Sequence, residues 1–294
     1  MRVQFRIILL SLLSVFLLNA CSAPSSQEPR QERMVKLVYT DWSEAVALTT
    51  LAQILLEDRM DFDVQTKLTD VESAYAEVAR GEADVFADAW LPETHGHYLE
   101  AYADSIEQLG IIYPDARTGL LVPAYSRYHS LEDLKGTDVT IIGIEAEAGV
   151  MYQARYAMQQ YMLETVQLKN LSEQEMVRLF TEAYKRREEV IITGWEPHGL
   201  FARFDIRFLD DPLKVFGEKE NIYALGTRGL EDRLPDVVRF FERMQLSEKQ
   251  INSLIDAMTG EASPEDGVRE WISKHDYIIN QWVKNLKPDR KKIM

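Results

Sequence analysis

The chain is poor in the features that mark several common protein classes. Cys21 is its single cysteine among 294 residues, so no internal disulfide can form and no cysteine remains for a metal site in the fold that follows. Positive charge is short as well. The 33 Lys and Arg against 48 Asp and Glu leave a formal net charge of −15, the opposite of the basic surface that nucleic acid requires. An acidic surface favours solubility and discourages anionic partners, but it does not choose a fold. Nothing matches the Gly-x-Ser-x-Gly elbow of the hydrolases, and abundant carboxylates give no pair a catalytic geometry. The expectation is a protein that is not an enzyme and needs no cofactor. The hydrophobic share of 46% is ordinary for a globular protein, and the length allows one large or two medium domains.

The N terminus differs in composition from the rest of the chain. Arg2 and Arg6 precede an apolar run from Ile7 to Leu18, which is shorter than the ~20 residues of an ordinary membrane span. A basic start, a short apolar stretch and small residues before the cut describe a secretory signal over residues 1–20. Leu18-Asn19-Ala20-Cys21 reads as a lipobox, which makes Cys21 the lipidated first residue of a membrane-anchored, extracytoplasmic protein. The polar stretch 21–33 reads as a flexible tether.

From Val35 onward, apolar runs and helical periods alternate. Strands are expected at 35–40, 62–66 and 84–89, with helices over 43–59 and 71–80 between them. A second set has strands at 139–142, 190–193 and 206–209 and helices over 149–162 and 173–185. Such spacing indicates βαβ units and a largely parallel sheet. Helices are expected over 235–244, 248–258 and 264–284. Two α/β sets and a helical tail predict two lobes: 34–122, then 123–221, with 222–294 returning to the first. Leu120–Pro123 and Ile222–Leu225 are the expected crossings.

Three tryptophans stand at predicted strand ends. Trp42 follows the first strand, Trp90 the third, and Trp195 the strand that closes on Gly194. Ligands of open parallel sheets bind beyond the carboxyl ends of the strands, so three indoles there would line a cleft. A quaternary ammonium has no N–H to donate and is selected by aromatic faces, at about 0.5–2 kcal/mol per ring. Trp271 and Trp282, in the helical tail, are expected as core residues or surface anchors.

The stretch Ile141 to Met151 joins a strand to a helix through small residues, and the amides at a helix start suit an anion. His95 lies five residues after Trp90 and offers a ring N–H to the same anion. Together these groups describe a site for a small zwitterion. His95-Gly96-His97 with His198 suggests zinc as an alternative, but an H-x-H pair lacks the i, i+4 spacing of the common zinc helix.

At these residues the sequence resembles the glycine-betaine-binding proteins of bacterial ABC importers, from about Val35 to Val283. The resemblance rests on Trp90-Leu91-Pro92-x-Thr94-His95, on Gly194-Trp195-x-Pro197-His198, and on Phe208-Leu209-Asp210-Asp211-Pro212. It implies a two-lobed periplasmic-binding-protein fold of type II, with mixed, largely parallel sheets flanked by helices, and a ligand in the cleft between lobes that close about a two-strand hinge. It also implies an ammonium cage of Trp42, Trp90 and Trp195, with the ligand carboxylate held by His95 and the backbone amides of Gly143 and Ile144. A permease with its ATPase subunits would be the partner, and the receptor would act as a monomer. Choline, carnitine and proline betaine are alternative ligands within the same fold. His198 is expected to hold the Trp195 loop through a structural hydrogen bond. The chain departs from the resemblance at Glu145-Ala146-Glu147, where related proteins often carry Asp-Pro-Gly. Two carboxylates there would repel an anionic ligand end unless their side chains point away.

Overall fold

A computed structural model describes residues 33–258 and 263–286. The signal segment, Cys21 and the tether as far as residue 32 lie outside the described residues. Among the described residues no helix is long and apolar enough to cross a membrane.

The first βαβ units appear as expected. Strands β1 (Met34–Tyr39), β2 (Asp63–Leu68) and β3 (Val85–Leu91) run parallel, with β1 between the other two. Helices Ser43–Met60 and Val71–Ala79 make the crossovers. The longer helix buries Ala45, Leu48, Leu51 and Leu55 among others. It ends where Asp61 turns left-handed at φ 61° and the N–H of Phe62 reaches back to the Leu56 carbonyl at 3.0 Å. The shorter helix is started by Asp70, whose side chain accepts the Ser73 N–H at 2.8 Å.

The second set is parallel too, with β5 (Thr140–Ile142) between β6 (Gln167–Lys169) and β7 (Ile191–Glu196). Helices Gly149–Gln160 and Glu173–Lys185 connect these strands, and the Ser172 hydroxyl caps the second of them.

The middle of the sheet is antiparallel. Strand β4 (Ile106–Pro123) is 18 residues long, and β8 (Ile206–Phe208) and β9 (Glu220–Thr227) both pair with it. The order is β2-β1-β3-β9-β4-β7-β5-β6, with β8 beside β4. Strand β4 pairs with β9 as far as Ala116 and with β7 from Arg117 onward. The two parallel sets are therefore joined through one long strand that changes partner between adjacent residues. The sheet is mixed, as expected, with its parallel pairs toward the two ends and antiparallel pairs in between.

The expected tail helix over 264–284 divides at His275 into Pro264–Lys274 and Asp276–Trp282. The His275 ring stacks on Trp271 at 3.9 Å, and its Nδ1 lies 2.8 Å from the Trp271 carbonyl oxygen. Trp271 and Trp282 are both buried and belong to the core.

Strand β3 is buried along its whole length, and Phe86 near its start meets the Tyr75 ring edge-on at 5.7 Å. Phe86→Ala should cost about 3–5 kcal/mol of stability through the cavity it leaves, measured by urea denaturation.

Candidate ligand-binding site

The tryptophan strands extend further than periodicity suggests, so Trp90 lies inside β3 and Trp195 inside β7, near their carboxyl ends. Trp42 follows β1 in extended backbone and begins the helix Ser43–Met60. All three indoles are buried and line one small cavity of ≈ 20 Å³. Glu44, Thr94, His95, Thr118, Ile144, Gly149 and Val150 complete much of the wall.

Two of the indoles spend their only donor on a buried carboxylate. Trp90 Nε1–H donates to Asp88 Oδ1 at 3.0 Å, and Trp195 Nε1–H donates to Glu44 Oε2 at 2.9 Å. These bonds fix the rotation of each ring and leave neither N–H for a ligand. Burial raises the Glu44 pKa well above the ordinary carboxylate value, and the charges of Asp88 and Glu173 raise it further. Burial likewise raises Asp88, whose second oxygen has no hydrogen-bond partner. Burial and mutual repulsion thus favour the neutral forms of both acids in the empty site, and a cation in the cavity would favour their ionised forms. With its indole faces and two spent indole N–H groups, the cavity suits a positive group that makes no hydrogen bonds.

The opposite character appears at His95. Its Nδ1 accepts the Trp90 backbone N–H at 3.1 Å, and desolvation lowers the ring's pKa to about 3. A neutral imidazole whose Nδ1 accepts must carry its proton on Nε2. His95 is thus a fixed neutral donor at physiological pH. Aromatic neighbours hold the ring in place, with Trp42 and Tyr75 both at 5.9 Å. Its loop is clamped by Glu220, which accepts the backbone N–H groups of Glu93 at 2.9 Å and Thr94 at 3.0 Å and the Thr94 hydroxyl.

Facing this loop is the start of helix Gly149–Gln160. The first amides of a helix have no acceptor within it, and those of Gly149 and Val150 belong to residues that line the cavity. Gly149 permits the close approach, since a Cβ there would lie 2.2 Å from Thr94 Cγ2 and 2.7 Å from the Thr94 carbonyl oxygen.

The predicted residues divide accordingly. Trp42, Trp90, Trp195, His95 and Ile144 share the cavity wall. Gly143 stands apart from the lining, and its N–H already donates to the Lys169 carbonyl at 2.8 Å. His198 is buried, accepts the Leu200 N–H on Nδ1 at 3.0 Å and meets the Trp195 ring edge-on at 4.8 Å. Among the described residues no group of three or more His, Cys, Asp or Glu is arranged to hold a metal. Glu44, Thr118, Gly149 and Val150 were not predicted. Only the small-residue turn before residue 149 hinted at the last two.

Residues 33–274 match the substrate-binding domain of ABC-type glycine betaine transport systems. The chain belongs to this family. The family consists of transport binding proteins, not enzymes. Lactococcal OpuAC, solved closed on glycine betaine, is similar at 30% identity and a TM-score of 0.82 over 86% of this chain and 100% of that one. The glycine betaine and L-proline-binding protein ProX from Borrelia burgdorferi is similar at 29% identity and a TM-score of 0.82, over 86% of this chain and 97% of its own. The glycine betaine/carnitine transport binding protein GbuC of Listeria monocytogenes is 29% identical over 159 residues, 53% of each chain. The match to that curated relative thus spans about half of its length.

For this binding domain Gly149→Ala is a sharp test of the cavity wall. The added methyl should displace the Thr94–His95 loop and weaken binding of the domain's ligand by about tenfold or more, ~1.4 kcal/mol. Calorimetric titration with glycine betaine measures it.

Proposed function

We propose that the chain is the extracytoplasmic receptor of an ABC importer that captures glycine betaine, or a close quaternary-ammonium zwitterion, and delivers it to a permease with its ATPase subunits. The observation that carries this reading is the pairing of opposites in one cavity. Three buried indoles and the Glu44 carboxyl group share one wall lining with a neutral His95 whose proton is on Nε2. In this reading Trp42, Trp90 and Trp195 hold the trimethylammonium group, each ring contributing about 0.5–2 kcal/mol. His95 donates to the ligand carboxylate. Ile144 completes that end, and the amides of Gly149 and Val150 are better placed there than that of Gly143, which is spent on Lys169.

The two parallel sets act as lobes, 34–122 with 222–294 and 123–221, connected through β4 and the segment that leads into β9. In this reading β4 hinges where it changes partner between Ala116 and Arg117, which moves the first lobe's boundary on that strand from 122 to 116. The receptor is a monomer, tethered to the membrane by a lipid on Cys21.

Trp195→Ala and Trp90→Ala should each weaken glycine betaine binding by more than tenfold, about 1.4 kcal/mol. Unchanged affinity in both variants removes the cage. His95→Ala separates a betaine receptor from a choline receptor, because choline has the ammonium but no carboxylate. Strong loss of betaine with choline unaffected supports the assigned ends, whereas wild-type binding of choline alone discards the role of His95.

The raised pKa values of Glu44 and Asp88 set a pH dependence. A bound cation favours their ionised forms, so binding expels protons whenever the ligand-free site holds them. Betaine affinity should therefore be full at higher pH and fall as these two groups protonate on acidification. Titrations in two buffers of different ionisation enthalpy report the released proton. His95, with a pKa of about 3, contributes no such step near neutrality.

A further inference from the structure

Glu173 opens the helix Glu173–Lys185 and is buried, yet it does not line the cavity. Its carboxylate works in two directions. Oε2 accepts the backbone N–H of Ser43 at 2.9 Å, in the other parallel set and 130 residues away in sequence. Oε1 stands 3.0 Å from Nε2 of His198, a close contact whose alignment falls short of a hydrogen bond. Because His198 Nδ1 accepts the Leu200 N–H, a neutral ring carries its proton on Nε2, facing Glu173. That ring supports Trp195 edge-on.

Ser43 is equally well placed. It lies between Trp42 and Glu44, whose carboxylate receives the Trp195 N–H. One side chain outside the cavity therefore touches the backbone between two wall residues on one side and the support of the third indole on the other. We infer that Glu173 is a positioning residue that couples assembly of the tryptophan cage to closing of the cleft.

The physical chemistry fits a group whose contact depends on closure. Ser43 heads an 18-residue helix, whose positive end favours a carboxylate at its first amides. The same closeness sets Glu173 against Glu44 and Asp88, whose pKa values its charge helps to raise. A core that needed only stability would do better with an apolar side chain there. The Ser43 amide at the helix end and a cation in the cage both offset the repulsion, and both reach Glu173 only when the two sets meet.

The inference rests on the betaine reading of the cavity, and stopped-flow tryptophan fluorescence with glycine betaine tests it. Glu173→Ala removes the link, whereas Glu173→Gln keeps an acceptor for the Ser43 N–H. The alanine variant should release betaine about tenfold faster with association changed by no more than about twofold. The glutamine variant should recover most of the slow release, with ligand-free melting close to wild type. Release from Glu173→Ala at the wild-type rate overturns the inference. Equal acceleration in both variants, with equal loss of ligand-free melting temperature, overturns it too, since that pattern marks simple support of the fold. If the wild-type protein binds no betaine, the reading of the cavity fails first and this one falls with it, a result visible before any substitution is made.

Discussion

The hydrogen bond from the Trp195 indole to Glu44, 2.9 Å long and spanning 151 residues of sequence, organises the site. It fixes the rotation of one indole, brings the end of β7 against the start of the helix after β1, and keeps a carboxylate in a place from which water is excluded. A buried carboxylate without partners ordinarily takes up a proton. Glu44 follows that rule in the empty site, because burial and the nearby acids outweigh the indole N–H and raise its pKa. A positive group in the cavity would favour its ionised form, so in the proposed reading the aromatic faces supply attraction and Glu44 supplies the sign.

The sheet makes the contact possible. Strands β3 and β7 carry Trp90 and Trp195, and both are attached to the antiparallel centre. Trp90 pairs with Ile222 on β9, and Trp195 pairs with Thr118 on β4. The two indoles are thus registered through neighbouring strands and not through independent loops, which suits a site that must hold its geometry. Glu220, the first residue of β9, carries the same registration into the loop of His95.

What the sequence revealed and what it hid have physical reasons. The parallel strands were legible because apolar runs alternate with helical periods, and the tryptophans were legible because a large aromatic stands out where a strand meets a loop. Strand β4 was not. Its pairing shifts register at three places, it contains Pro114, and Asp115 takes a left-handed backbone at φ 62°, so no period of two survives along it. Glu44, Asp88, Glu173 and Glu220 were hidden for another reason. Among 48 acidic residues, most of them expected in solvent, nothing local distinguishes these four buried ones. Three of the four depend on contacts more than 100 residues away in sequence. The strand-to-helix turn was legible, but which of its residues meet the cavity was not. Gly143 is consumed by the ladder to Lys169, and the open helix start comes six residues later, where only a glycine fits against Thr94.

The departure at Glu145-Ala146-Glu147 is resolved by the same logic. Glu147 is exposed, and its carbonyl, not its carboxylate, is engaged, by the Tyr98 hydroxyl at 3.1 Å. Glu145 is half-buried and lies against the Trp42 indole, whose hydrogen bonding lowers its pKa while burial, the larger effect, raises it. The two acids therefore do not act as a pair. One faces solvent, and the other joins a set in which every cavity indole has a carboxylate beside it: Trp42 with Glu145, Trp90 with Asp88, Trp195 with Glu44. Two of these pairs, Trp42 with Glu145 and Trp195 with Glu44, join one parallel set to the other. An acid that looks misplaced beside a helix start is well placed once its neighbour is seen to be an indole, because that contact ties the two sets together.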